Sequence, residues 1–156
     1  MRLATLVAIV TLLMACASTS SSTRATFFGT RGSDSDVIPA SLYYLVANPS
    51  RMNRSKVRTS GVLNLVYEGY ELYVDRESYD HMLTLNSLWL EIDLEQLGME
   101  QDRAHLIGET VELEGTFIGA DPAAPCHGRT SRCVFVGTHR AGKLVDISYV
   151  RVLDSY

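Results

Sequence analysis

The chain has 156 residues, which is enough for one compact domain and scarcely for two. It carries 14 Lys and Arg against 18 Asp and Glu, a formal net charge of −4. Contacts to phosphate supply much of the affinity of nucleic-acid binders, so their surfaces are usually basic, and this acidic balance argues against a nucleic-acid partner.

Residues 1–15 have the features of a secretory signal. Arg2 supplies a positive charge, and the apolar run that follows it is too short for a membrane span, which needs about 20 residues. The run ends in Leu13-Met14-Ala15-Cys16, which resembles the lipobox at which bacterial lipoproteins are cut. The alternative is an ordinary secretory signal that happens to contain Cys16.

The lipobox resemblance implies a lipid anchor. Cys16 would carry diacylglycerol, and its new amino terminus would carry a further acyl chain such as palmitate. Each buried methylene contributes about 0.8 kcal/mol, so several acyl chains hold a protein on a membrane almost permanently. Ala17 stands where enteric bacteria use aspartate to retain lipoproteins at the inner membrane. The resemblance therefore implies the outer membrane, with the protein facing the periplasm.

Residues 16–36 are rich in Ser, Thr and Gly, and Phe27-Phe28 is their only strongly apolar pair. Such a segment cannot bury enough apolar surface to fold by itself. We therefore expect a flexible, lipid-anchored tether over residues 16–36 and one folded domain over residues 37–156.

A short helix is predicted over residues 39–47. Leu42 and Leu45 recur there at helical spacing, and Pro39 stands near the start, where its fixed φ suits a first turn. Asn48-Pro49 then ends the helix, because the residue before a proline is disfavoured in the helical conformation.

Alternation of side chains predicts a strand over residues 56–67 that is buried on one side. Gly69 then allows a turn into residues 70–74, which makes a hairpin. The residues of the first strand expected to face the core are Val57, Thr59, Gly61, Leu63, Leu65 and Tyr67.

Residues 75–83 are expected to form a helical turn, and residues 86–93 form the next strand. Trp89 faces the side opposite to the apolar residues of this strand. The mostly polar stretch that follows, residues 94–105, fits a short helix or a loop.

Residues 109–118 give the cleanest half-buried strand in the chain. The alternation places Glu112 and Glu114 on its outer face, where we expect solvated carboxylates that nothing tunes for acid–base chemistry. Residues 133–137 and 143–153 supply the last β segments.

Cys126 and Cys133 remain as a pair if Cys16 takes lipid, and an oxidising compartment favours a disulfide between them. A loop of this size yields only about 2–3 kcal/mol in the chain-entropy model, so the bridge would mainly shape the loop. The alternative is a metal held by both cysteines with His127 and His139. Their spacing matches no zinc motif that we can name, so we predict no metal and no cofactor.

Five or six strands, with one helix between the third and fourth long ones, predict a mainly β domain. The layout suits a small OB-like Greek-key barrel with one or two short helices, and a half-open roll is the alternative. In OB barrels the ligand surface usually lies over strands two and three. The loops that join strands one to two and four to five border this surface.

Five short segments of the domain form a set. They are Leu45-Val46-Ala47-Asn48-Pro49, Val57-Arg58-Thr59-Ser60-Gly61, Glu68-Gly69-Tyr70-Glu71-Leu72-Tyr73, Asn86-Ser87-Leu88-Trp89-Leu90 and Val111-Glu112-Leu113-Glu114-Gly115-Thr116-Phe117. Together they resemble a widespread group of uncharacterised bacterial proteins expected to have an OB-like domain. Ser55-Lys56 departs from the Gly-Lys usual before the first strand, and the Cys126–Cys133 loop replaces a shorter turn. The resemblance implies the fold and implies no activity.

No catalytic residue is predicted, because the chain lacks a Gly-x-Ser-x-Gly motif and its four histidines are scattered among polar neighbours. Aromatic residues suggest binding instead. Tyr70, Tyr73 and Trp89 could form a platform for a glycan or peptide. Arg129 and Arg132 would then reach an anionic group. The alternative is that the tyrosines fill a barrel end and Trp89 plugs a gap.

The sequence therefore predicts a non-catalytic binding or scaffold module, anchored by lipid at the outer membrane, whose partner is another envelope protein or peptidoglycan. The alternative is a small envelope hydrolase that uses Glu or His with a metal. A nucleic-acid role would rest on fold analogy alone, and both the net charge and the expected compartment oppose it.

Overall fold

The computed structural model describes residues 26–66, 69–120 and 141–153. Within these ranges the strands are β1 (Phe27–Gly29), β2 (Ile38–Pro39), β3 (Ser55–Val66), β4 (Gly69–Tyr73), β5 (Ser87–Leu90), β6 (Thr110–Gly119) and β7 (Gly142–Val152). The helices are α1 (Leu42–Ala47), α2 (Arg76–Asp80) and α3 (Arg103–Leu106), with a 3-10 turn at Thr84–Asn86. No helix of the described ranges has the length and apolar character that crossing a membrane requires.

Five strands close into a barrel in the order β3–β4–β5–β7–β6, and β6 pairs with β3 to complete the ring. β5 and β7 run parallel, and the other four pairs of barrel strands are antiparallel. This is the strand order of an OB barrel, so the predicted OB-like fold is confirmed and the half-open roll is excluded. Helix α3 lies between the third and fourth barrel strands, where the sequence predicts a helix or a loop.

Alternate residues of each strand fill the interior of the barrel. Leu63 and Leu65 of β3, Leu72 of β4, Leu88 of β5 and Phe117 of β6 are all fully buried. Burying a side chain of this size contributes about 1.5–3 kcal/mol, so this interior supplies much of the stability of the domain. The alternation predicted for β3 and β6 is confirmed on their core-facing sides.

Helix α1 begins at Leu42 rather than at Pro39, because Ile38–Pro39 pairs in parallel with the first half of β3. Ser41 caps the helix, since its side chain accepts a hydrogen bond from the N–H of Tyr44. Leu42 and Leu45 then enter the core. The predicted helix is therefore present in a shorter form, and it packs against the barrel through the two residues that defined its spacing.

The predicted hairpin is confirmed, because β3 and β4 are antiparallel with Val66 opposite Gly69. Helix α2 follows β4, as the sequence predicts. Asp75 caps this helix by accepting a hydrogen bond of 2.7 Å from the N–H of Ser78. The hydroxyl of Tyr43 on α1 also donates to Asp75, and this bond is the main cause of the lowered pKa of Asp75.

The chain joins the sheet earlier than the predicted tether allows. Strand β1 is antiparallel to β7, with Phe27 opposite Arg151 and Phe28 opposite Val150. Phe28 packs against the core, whereas Phe27 is 65% exposed. Sequence composition missed this strand, because three residues added to the edge of an existing sheet need no core of their own. Within residues 16–36, then, at least 27–29 belong to the folded domain.

The two phenylalanines of β1 make a matched pair for a stability test. We expect Phe28→Ala to lower the free energy of unfolding by about 1–3 kcal/mol, because it empties a partly buried site, and Phe27→Ala to change it by less than about 0.5 kcal/mol. Equilibrium urea unfolding followed by circular dichroism measures both. Equal effects of the two substitutions would contradict the assignment of β1 to the folded domain.

Candidate functional site

The outer face of β4 and β5 is the surface over which OB barrels usually bind their ligands. Side chains alternate along β4, so Tyr70 and Leu72 point toward the core while Glu71 and Tyr73 point away from it. Trp89 of β5 lies directly opposite Glu71. Trp89 is half-buried and Tyr73 is fully buried, so Trp89 is the aromatic residue that reaches the surface of this face.

Trp89 is held against the backbone of the β3–β4 hairpin. A Cβ atom on Gly69 would lie 2.2 Å from Cζ3 and 2.6 Å from Cη2 of the indole. Gly69 also has a positive φ of 153°, which other residues rarely adopt. No side chain therefore fits between the hairpin and the six-membered ring, and the ring rests directly on the sheet.

Tyr73 is buried on the same side of β4 as Glu71. Its hydroxyl donates a hydrogen bond to the carboxylate of Glu71, and both residues are buried. Burial, and then the bond to Glu71, raise the pKa of Tyr73. The ring of Tyr79 packs edge-on against that of Tyr73, with 5.7 Å between the centroids. Tyr73 therefore positions Glu71 beside Trp89 and does not itself offer an aromatic contact to a ligand.

Tyr70 lies apart from the other two aromatic residues. Its ring is 5.4 Å from the guanidinium carbon of Arg103, which donates hydrogen bonds of 3.0 and 2.7 Å to the carbonyl of Leu65. This contact places Tyr70 with α3, on the core side of the strand. The three residues proposed as one platform are thus divided between two sides of the sheet.

Lys143 lies next to Trp89, close to the start of β7. It is the register partner of Trp89 across the parallel pair β5–β7, and its ammonium forms an ion pair with Glu91. The N–H of Ala120 donates a bond of 3.1 Å to the carbonyl of Ala141, so the two ends of the β6–β7 connection meet here. Ala120 and Ala141, the described residues on either side of positions 121–140, thus lie close to the Trp89–Lys143 pair.

Several predicted residues lie outside the described ranges. The structure therefore assigns no position to the lipidation site, to the disulfide pair, to the two arginines proposed as ligand contacts or to the alternative metal ligands. They are Cys16, Cys126, His127, Arg129, Arg132, Cys133 and His139. The strand predicted at residues 133–137 lies outside them as well.

Glu114 is buried, so the prediction that it is a solvated carboxylate is wrong. It does face away from the barrel interior, yet its side chain is 0% exposed, because the segment after β1 covers it. The N–H of Gly32 donates a bond of 2.7 Å to its Oε2, and Nε of Arg58 donates one of 2.7 Å to its Oε1. Alternation along β6 could not reveal this cover, since the covering residues are more than 70 positions away.

Arg58 joins Glu114 to the segment that covers it. Its Nη1 lies 2.7 Å from Oδ1 of Asp34. Its Nη2 lies 2.6 Å from Oε1 of Glu114 without the geometry of a hydrogen bond, so we treat that approach as a charge contact beside the well-formed Nε bond. Arg31 adds a second cation, with Nε 3.7 Å from the same oxygen. We call Arg31, Gly32, Asp34, Arg58 and Glu114 the ion cluster.

The ion cluster is structural in character. Every charged member faces an opposite charge within the cluster, which leaves no group poised to exchange a proton with a substrate. Among residues 26–66, 69–120 and 141–153, no group of three His, Cys, Asp or Glu could hold a metal ion. The part of the chain that the structure describes therefore offers no support for the metal-dependent hydrolase.

Comparison with known proteins finds no matching family model, no matching curated protein and no matching solved structure. The OB-like barrel and its surfaces are therefore the features that indicate a function for this chain. The lipobox and the resemblance to the OB-like bacterial group stay predictions.

Removing the charge of Glu114 tests the ion cluster. Glu114→Gln leaves the largely buried Arg58 with Asp34 as its one remaining carboxylate in the ion cluster, and we expect it to lower the free energy of unfolding by about 2 kcal/mol. Glu112→Gln is the matched control on the same face of β6. Its partner Arg151 is 35% exposed, so we expect a cost below about 1 kcal/mol. Equal costs in urea unfolding would show that Glu114 is not held as described.

Asp34 makes the ion cluster sensitive to acid. The hydrogen bond from Arg58, then its charge and that of Arg31, hold the pKa of Asp34 below the ordinary value of 3.8. A carboxyl of lowered pKa contributes stability that is present above the unfolded value and is lost as the pH falls through the folded value. We expect Asp34→Asn to remove this part of the acid destabilisation. An NMR titration in which the Asp34 carboxyl titrates at 3.8 or higher would contradict it.

Proposed function

We propose that this protein is a lipid-anchored envelope lipoprotein whose OB-like barrel is a non-catalytic binding or scaffold module. The signal of residues 1–15 directs it out of the cytosol, and Cys16 anchors it to the outer membrane on the periplasmic side. The outer face of β4 and β5, centred on Trp89, holds another envelope protein or peptidoglycan.

The observation that carries the proposal is the position of Trp89. It reaches the surface of the face where the OB topology places ligands, and it is the only tryptophan of the chain. Tryptophan is among the residues that dominate binding energy, because one rigid ring removes a large apolar area from water on contact. Gly69 fixes the ring in place, so little rotamer freedom remains to be lost when a partner binds.

The surroundings of Trp89 favour a partner with both apolar and polar groups. Glu71 lies across from it, and the Lys143–Glu91 ion pair borders it. Peptide and glycan surfaces both combine apolar patches with hydrogen-bonding groups, whereas a purely apolar ligand would take these paired charges out of water without offering them any hydrogen bond. The Cys126–Cys133 loop belongs to the connection that begins and ends beside this face, and we propose that Arg129 and Arg132 add contacts from it.

Site-specific crosslinking in living cells tests the proposal. The tagged full chain carries a photo-reactive benzoylphenylalanine at position 89, or at position 44 as a control, because Tyr44 is 38% exposed on α1. We expect a crosslinked product of one defined size from position 89 and none from position 44. Mass spectrometry then identifies a protein partner. Sedimentation with isolated peptidoglycan tests whether the protein binds the cell wall instead.

A binding measurement with the recovered partner gives the contribution of Trp89 to the binding free energy. We expect Trp89→Ala to weaken binding by about 2 kcal/mol, roughly thirtyfold in Kd, with Tyr44→Ala unchanged. Equal crosslinking from positions 89 and 44, or binding unaffected by Trp89→Ala in a folded variant, would refute the site. Mass spectrometry of the amino-terminal peptide tests the lipid on Cys16 separately.

A further inference from the structure

The two adjacent phenylalanines at the start of the described chain have opposite environments. Phe28 packs against the core next to its register partner Val150, and Phe27 points away from it with 65% of its surface exposed. Phe27 is the most exposed of the large apolar residues in the described ranges. It is also the one nearest in sequence to Cys16.

Strand β1 holds Phe27 at a fixed place on the barrel. The N–H of Val152 donates a bond of 2.9 Å to the carbonyl of Thr26, and the N–H of Thr30 donates one of 2.8 Å to the carbonyl of Ser148. Directly after β1, the ion cluster binds Gly32 to the buried Glu114. The point at which the chain leaves the barrel toward its amino terminus is therefore set by the sheet.

Phe27 has an arginine as its neighbour on the outer face. Arg151 is its register partner on β7, and Nη2 of Arg151 lies 3.2 Å from Oε1 of Glu112 on β6. An exposed aromatic ring beside an arginine is a combination suited to the boundary between lipid headgroups and acyl chains. Phenylalanine is among the apolar residues that surface-bound segments bury at that depth, and arginine can contact the headgroup phosphates there.

Chain length limits how far Phe27 can lie from the membrane. Phe27 is eleven positions after Cys16, with ten residues between them, and a fully extended chain over eleven positions spans at most about 40 Å. Trp89 lies further along the barrel, because its partner Lys143 is eight positions before Arg151 on β7. That separation corresponds to about 20 Å of strand once the bulge in the β6–β7 ladder is allowed for.

We propose that the barrel surface around Phe27 and Arg151 rests on the lipid surface that holds Cys16, so that the Trp89 face points away from the membrane. This orientation rests on the proposed lipid anchor. It gives the two phenylalanines separate roles, with Phe28 fastening the chain to the barrel and Phe27 fastening the barrel to the lipid. The binding face is then presented to the periplasm at the far end of β7.

Quenching of tryptophan fluorescence by brominated phospholipid tests the orientation. The acylated full chain is reconstituted in vesicles of phosphatidylethanolamine and phosphatidylglycerol, with or without bromine on the acyl chains near the headgroup. The wild type reports on Trp89, its single tryptophan. A Phe27→Trp variant with Trp89→Phe reports on β1. A Leu85→Trp variant with Trp89→Phe is the matched control, because Leu85 is 52% exposed after α2.

We expect the tryptophan at position 27 to lose most of its emission in brominated vesicles and to shift to shorter wavelength in ordinary ones. The wild type and the position 85 variant should keep their emission in both. Equal quenching at positions 27 and 85, or quenching of Trp89, would overturn the orientation.

Flotation with the vesicles and mass spectrometry of Cys16 distinguish a failure of the proposed orientation from a failure of the proposed lipid anchor. A protein that is acylated and floats, yet shows no quenching at position 27, refutes the orientation and leaves the anchor intact. A protein that carries no lipid on Cys16 and does not float refutes the anchor, and the orientation fails with it.

Discussion

Closure of the barrel depends on β3, a strand of 12 residues that pairs with β6 from Ser55 to Val62 and with β4 from Val62 to Val66. Because β3 pairs with the strands on both sides of it, a shift in its register would displace both pairings at once. Val62 is the residue at which the two pairings meet, since it lies opposite both Thr110 and Tyr73. Which side chains face the core, and which face solvent or a partner, follows from that register.

Local patterns in the sequence were sufficient to predict the barrel. The alternation around Leu63 and Leu65, the glycine at position 69 and the polar stretch before β6 each reflect a constraint that acts within a few residues. Such constraints fix the kind and order of the elements, and few arrangements of five strands and a short helix then remain. Trp89 was placed on the correct side of its strand by the same alternation.

The surfaces that cover the barrel could not be predicted in this way. Glu114 is covered by the segment around Gly32. Strand β1 pairs with β7, although the composition of its residues predicts a flexible tether. Both depend on contacts between distant parts of the chain, and neither leaves a periodic signal. Opposite charges at Arg58 and Glu114 become informative only when the β3–β6 register places the two residues face to face. Tyr70 and Tyr73, the two tyrosines of the predicted platform, lie on opposite sides of β4, because they are an odd number of positions apart on one strand.

The position of β7 has a consequence for when the protein folds. β7 is the last of the described strands and pairs with β1, β5 and β6, so the ring cannot close until the strands that precede β7 have all emerged. Until then the apolar faces of the earlier strands lack their cover, and contacts between distant segments form slowly. Closure of the ring is therefore a late step of folding, because it waits for the strand that lies furthest along the described part of the chain.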